Sequence, residues 1–188
     1  MTGVRRRLSR AAWLEAALEV LAREGEGRIR VRQLANSLGV TTGSFYAHFR
    51  DRTDFLAQIL DYWLDQNTSQ LARAAGAHPG PPRETLVWLA RHVIENDSAR
   101  YDSPVRAWAT HEVGAAEALR TSDRTRLHTV RGLFQGMGFT GHELAMRTYV
   151  YVTVLGSHAP VVRGKGKARR LAEILAMIEL LCRNAPAD

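Results

Sequence analysis

LANSLGVTTGSFYAHFRDRTDFL, residues 34 to 56, is the stretch on which the reading of the fold turns. Val31, Leu34, Ala35 and Leu38 recur at helical spacing and stop at Gly39. Glycine adopts the left-handed conformation that a sharp helix exit needs. Val40 then fills the corner, and Thr41 is suited to cap the next helix. That helix has room for only about two turns, too few to be stable alone in water. Phe45 and Phe49 lie four apart and share one face, which must pack on Ala35, Leu38 and the preceding helix. Two short helices joined at Leu38-Gly39-Val40 describe a helix-turn-helix.

Working outward, helical periodicity recurs and no segment shows the period-two alternation of a strand, so the fold class is all-α. Ser9 is placed to cap a first helix with Trp13, Ala16, Ala17, Val20 and Leu21 on one side, ended by Gly25 and Gly27. Asp51 or Thr53 opens a long helix carrying Phe55, Leu56, Ile59, Leu60, Trp63 and Leu64, which runs to about Ala75. Gly76 to Pro82 is the clearest break. Further helices begin near Pro82 and at Ser103-Pro104, run from Val113 to Met137, and run from Gly141 to Ala159 before Pro160. A basic glycine-broken loop, RGKGKARR, precedes the final helix from Ala168 to Arg183. The expected division is an N-terminal three-helix helix-turn-helix domain over 1–52 and a helical C-terminal domain over 53–188.

Charge separates the same two parts. Ten arginines against five acids give residues 1–52 a charge of +5, out of +7 for all 188 residues. A basic module on a nearly neutral body suits a polyanionic partner. The outward face of the short helix, Thr42, Gly43, Tyr46 and Ala47, with Ser44 and His48 at its flanks, is small and polar apart from one tyrosine. Such a face can enter a major groove closely and present hydroxyls. Tyr46 and His48 are placed to donate to phosphates. Arg30, Arg32, Arg50 and Arg52 flank the unit and add salt-sensitive contacts. The helix opening after Asp51 aims backbone N–H groups outward, towards a phosphate. The cluster Arg5-Arg6-Arg7-Arg10 reads equally as a solvated tail or as an arm along DNA.

Residues 9–60 resemble the DNA-binding domain of TetR-family transcriptional regulators. The pattern is an alanine in the second helix, Gly-Val, a hydroxyl residue, glycine, an aromatic beside tyrosine, then His-Phe and a basic residue before an aliphatic one. The resemblance implies that Thr42, Tyr46 and His48 contact DNA. Arg52 stands where the family usually has lysine, which keeps the charge and alters donor geometry. The DNA-reading set is therefore Arg30, Arg32, Thr41, Thr42, Gly43, Ser44, Tyr46, His48 and Arg52. Residues 100–160, which include YDSPVRAWATHEVG, are similar to the ligand-binding half of many such proteins. This implies a helical body whose last two helices pair with a second subunit, a palindromic double-stranded operator, and a small-molecule effector.

The apolar supply agrees with pairing. Ala145, Tyr149, Val152, Leu155 and Gly156 form a stripe, while Val150, Tyr151 and Val154 are apolar on other sides. The last helix is equally rich, and a helix apolar nearly all round needs burial on more than one side. Trp88, His92, Trp108, His111 and Tyr149 are candidates to line an effector cavity. The reading is a DNA-binding regulator, a repressor released by its effector, and not an enzyme. The competing readings are a helical enzyme and a nonspecific DNA-binding protein. The seven histidines form no metal-binding pair, and Gly164-Lys165-Gly166 has no Ser or Thr after it, so neither a metal nor a cofactor is expected. The single cysteine, Cys182, lies on an apolar stripe and fits a reducing cytoplasm. MTGVRRRLSR lacks an apolar run after its basic residues, and no stretch reads as a signal peptide or a membrane span.

Overall fold

The structure, a computed structural model, describes residues 8–156 and 166–183. The described residues form an all-α fold with no strand. The N-terminal unit contains α1 (Arg10–Glu24), α2 (Val31–Ser37) and α3 (Thr42–Tyr46). A continuous rod follows: α4 (Arg52–Leu64), a π-type turn at Asp65–Ser69, and α5 (Gln70–Ala77). The body is α6 (Pro82–Glu95), a 3-10 turn at Ser98–Tyr101, α7 (Asp102–Trp108), α8 (Val113–Gly136), α9 (Gly141–Gly156) and α10 (Lys167–Cys182).

The boundaries follow local chemistry. The Ser9 hydroxyl accepts from the Ala12 N–H at 3.2 Å and caps α1. Asp51 caps α4 by accepting from Asp54 N–H at 2.8 Å. At the corner after α2, Gly39 takes φ +68°. Its N–H reaches the Asn36 carbonyl, and Val40 N–H reaches the Ala35 carbonyl at 3.0 Å. These are the two crossed bonds of a Schellman exit. Thr41 does occupy the N-cap position of α3, but its hydroxyl makes no capping bond. The helix is held from below instead. Phe45 is 1% exposed and Phe49 2%. The Phe45 ring meets Trp13 at 5.5 Å and Phe55 at 5.1 Å, both edge-on.

The rod after Asp51 was expected as an unbroken α-helix, and the π turn interrupts it. The cause lies in its polar sequence, DQNTS. Asn67 Nδ2 donates to the Trp63 carbonyl at 3.2 Å, and Ser69 Oγ to the Leu64 carbonyl at 3.4 Å. Side chains that bond nearby carbonyls compete with the α ladder, and here Gln70 N–H pairs five residues back, with Asp65. Such turns recur at functional sites.

Two cores result. The first joins Trp13, Leu21, Phe45, Phe49, Phe55, Ile59 and Trp63, and continues into Val105, Trp108 and Ala115. It therefore does not stop at residue 52: α4 belongs to it, and so do α7 and the start of α8. The second lies among α6, α8, α9 and α10 around Phe134, Tyr151 and Ile178. α9 is described as far as Gly156. The expected run to Ala159, the stop at Pro160 and residues 163–165 of the basic loop lie outside the described residues; the rest of that expected loop, from Lys167, is the first turn of α10, which starts one residue before the expected Ala168.

Candidate nucleic-acid interface and ligand cavity

The aromatic floor beneath α3 decides which side chains point away from the protein. Thr41, Thr42, Gly43 and Ala47 are exposed, and Ser44 is half-buried. Tyr46 is 66% exposed, although its ring edge rests on Phe45 at 5.2 Å. Its phenol is free to donate outward. Arg30, Arg32 and Arg52 are exposed around this face. Arg50 is exposed too, but pairs with Asp54 at 3.4 Å.

His48 sits differently from Tyr46. It is half-buried, and its Nε2 lies 2.9 Å from the Leu8 carbonyl. A carbonyl only accepts, so Nε2 carries the proton in that contact. An outside partner is then left Nδ1, which in a neutral ring offers a lone pair. The α4 N-terminus is also less open than expected. Asp51 takes one of its N–H groups, and Asp54 accepts from Arg50 N–H at 2.9 Å. The Arg50 backbone N–H and the Gln58 amide hold the Asp54 carboxyl below the usual carboxylate range. Two carboxylates at that end oppose a phosphate. Arg10, read as part of a basic arm, is tied to α4 through Gln58 at 2.7 Å. Arg5, Arg6 and Arg7 lie outside the described residues.

Behind the first core is a cavity of about 70 Å³. Its walls are Leu71, Leu89, Val93, Val130, Val152 and Leu155, with the Tyr151 ring. Asn67 and Thr68 of the π turn form one side. At one end, Asp102 and Arg126 form a two-pronged pair, at 2.5 and 3.2 Å. Asp102 is 2% exposed. Arg126 also donates to Thr68 Oγ1 at 3.3 Å and to the Asn67 carbonyl at 3.4 Å. Thr68 in turn bonds the fully buried Ser122 at 2.8 Å. One guanidinium thus joins α7, α8 and the π turn of the rod. The Tyr151 hydroxyl is spent on the Leu86 carbonyl at 2.6 Å, and burial pushes that phenol well above its ordinary range.

None of the five residues expected to line an effector site borders this cavity. Trp108 is packed into the first core. Trp88 is half-buried between His78 and His92, at 5.3 and 5.7 Å. His111 is exposed at 3.3 Å from Glu26, and Tyr149 is 60% exposed on α9. Their aromatic or imidazole character was the signal that singled them out. The residues that do converge carried a weaker one. Ser122, Arg126, Thr129 and Val130 share a face of α8, and a polar run on an otherwise buried face marks an internal polar site. Three other arginines on the same helix, Arg120, Arg124 and Arg131, hid it.

A polar seam links α1 to the body. Tyr62 donates to Glu15 at 2.9 Å, and Tyr101 to Glu19 at 2.7 Å. Arg100 pairs with Glu19 as well. Burial, helped by Glu15, pushes the Tyr62 phenol up to about 12. Cys182 is half-buried, and burial raises its thiol, which disfavours the reactive thiolate. Among the described residues no group of three or more His, Cys, Asp or Glu side chains is arranged to hold a metal ion. No described helix is long and apolar enough to cross a membrane.

Residues 14–59, spanning α1 to the middle of α4, match the model of bacterial regulatory proteins of the tetR family. Over these residues the chain carries a tetR-family N-terminal domain. The HTH-type transcriptional regulator AcrR of Shigella flexneri is 30% identical over 84 residues, 44% of this chain and 39% of that protein. The chain thus matches about two fifths of that relative's length. The likeness in fold extends beyond this domain. A transcriptional regulator structure from Rhodococcus sp. Rha1 superposes with TM-score 0.75 at 17% identity, covering 96% of this chain and all of that one. FadR from Bacillus subtilis, solved with stearoyl-CoA, gives 0.69 at 15% identity, covering 93% and 98%. A structure from Saccharomonospora viridis, solved with choline, gives 0.74 at 18% identity, covering 95% and 98%. At these identities the structures speak for the TetR-type fold alone.

Proposed function

We propose that this protein is a homodimeric, sequence-specific DNA-binding transcriptional regulator that represses its target until a small-molecule effector releases it. One observation carries the reading: Tyr46 stands 66% exposed beside Thr42 and Gly43 while Phe45, beneath it, is 1% exposed. A segment this short, pinned by aromatics and bare on top, suits a major groove. Thr42, Ser44 and Gly43 then approach base edges. Thr41, Tyr46, Arg30, Arg32 and Arg52 hold phosphates and set register, while His48, its Nε2–H held by the Leu8 carbonyl, offers DNA only the acceptor Nδ1. On this reading residues 1–52 read DNA, and 53–188 bind effector and partner. The protein works in the cytoplasm, and its activity is not enzymatic.

Dimerisation through α9 and α10 is supported by Met146, Tyr149 and Leu180, large apolar side chains exposed on those helices. Twofold symmetry suits a palindromic operator with half-sites about 34 Å apart. The choline and stearoyl-CoA bound by two structural relatives support a ligand for the cavity here. The rod from Arg52 joins that cavity to the reading head. A ligand acts by binding one spacing of the two heads better than the other. His111, Trp88, His92, Trp108 and Tyr149 border no part of the cavity, so the effector contacts proposed are Asn67, Thr68, Thr129 and their neighbours.

Selection of bound DNA from a random pool tests the reading. A palindromic site should emerge, with affinity falling steeply as salt rises. A pool that binds without enrichment points to a nonspecific binder, and a pool that does not bind at low salt removes the DNA role. Tyr149→Glu with Leu180→Glu should sediment as a monomer; an intact dimer would move the interface elsewhere.

A further inference from the structure

The cavity beside the π turn has a lining that selects by charge. Among the described residues its only charged side chains are Asp102 and Arg126, and each is the other's partner in a two-pronged contact at 2.5 and 3.2 Å. The carboxylate is almost wholly buried, with its side chain 3% exposed. The pair leaves the cavity without net charge. Its other polar groups, Asn67, Thr68, Ser98 and Thr129, are all neutral. Asn67 donates through Nδ2 to the Trp63 carbonyl, which leaves its Oδ1 as an acceptor. Thr129 donates to the Thr125 carbonyl at 2.9 Å, so its remaining capacity is also to accept. The walls between these groups are aliphatic.

We infer that the effector is a small uncharged molecule, an apolar body carrying one hydroxyl or amide donor, and that the Asp102–Arg126 pair excludes carboxylates and ammonium ions. The inference rests on the effector reading above. An ion entering this space loses its hydration and finds no free counter-charge, because the only candidates already neutralise each other. A neutral donor meets acceptors instead. Size follows from the volume: about 70 Å³ holds about five waters, so a ligand of about six non-hydrogen atoms fits without rearrangement. The same guanidinium holds Thr68 and the Asn67 carbonyl, so a ligand that shifts Arg126 acts directly on the turn in the rod.

Three near-isosteric probes test this on the free, full-length protein by calorimetric titration: pentan-1-ol, pentanoate and pentylammonium. Reading binding without DNA keeps its outcome separate from any failure of the regulator reading. The alcohol should bind at least tenfold more tightly than either ion. Asp102→Asn frees the Arg126 charge and should reverse the order between alcohol and pentanoate. If that variant does not fold, the wild-type comparison decides by itself. Ala72→Leu, which fills the space from α5, should abolish binding of the alcohol. Wild-type protein that prefers either ion, or ignores the alcohol, overturns the charge rule. Unchanged alcohol binding in Ala72→Leu overturns the site.

Discussion

Phe45→Ala removes the anchor on which the reading face stands. The ring is 1% exposed and packs within 5.5 Å of Trp13, Phe49 and Phe55. A phenylalanine buries about 200 Å², which at about 25 cal/mol per Å² gives about 5 kcal/mol as an upper bound. Large-to-small replacements of this kind cost about 3–5 kcal/mol, including the cavity left behind. The expected loss is therefore about 4 kcal/mol. For a chain of this length that lowers the thermal midpoint by about 8–16 °C. α3 is only five residues long and its Thr41 makes no capping bond, so it has no other large source of support. Operator affinity should fall with stability, and the α3 amides should exchange faster than those of α1. Chemical unfolding followed by circular dichroism measures the first effect, and native-state hydrogen exchange the second. Tyr46→Phe serves as the control, with stability changed by less than about 0.5 kcal/mol. A Phe45→Ala protein within about 1 kcal/mol of the parent, with α3 still protected, would refute the idea that burial of this ring holds the helix.

Three further outcomes are expected. Tyr46→Phe should weaken DNA binding across sequences by roughly tenfold, about the 1.5 kcal/mol of one hydrogen bond to a charged acceptor; relaxed preference at a single base with affinity unchanged would assign Tyr46 to base reading. Arg126→Met should cost about 3–5 kcal/mol in urea unfolding because it strands the buried Asp102 carboxylate; a smaller loss means water or another group reaches Asp102. Tyr62 keeps its proton in the folded state up to about 12, above its ordinary value of 10.0, so its contribution is complete below pH 10 and is lost as pH rises towards 12. Tyr62→Phe should flatten that alkaline decline in thermal midpoint, and an unchanged decline would assign it to other groups.

How much could be read beforehand depends on the distance over which each signal acts. The reading head is local. Gly39 at the corner, two aromatics four apart and an aspartate before Arg52 act within a turn or two, so their roles follow from spacing. The same reasoning failed for the Thr41 hydroxyl, because a side chain well placed to cap still has alternatives in solvent. It also left His48 incomplete, since its partner is the Leu8 carbonyl, forty residues earlier.

The sequence by itself determined an all-helical chain, a helix-turn-helix near its start, the faces of α3 and the basic bias of that end. All of these arise from backbone preference and from periodicity along single segments. Only the tertiary structure decided the cavity. Asp102 and Arg126 are 24 residues apart, and Thr68 and Ser122 are 54 apart. Each of these side chains, read alone, suits a solvated helix surface. Their partnership exists because α7, α8 and the π turn converge, and burial makes that partnership obligatory: a charge or hydroxyl taken out of water must find its complement wherever the packing of helices happens to put one.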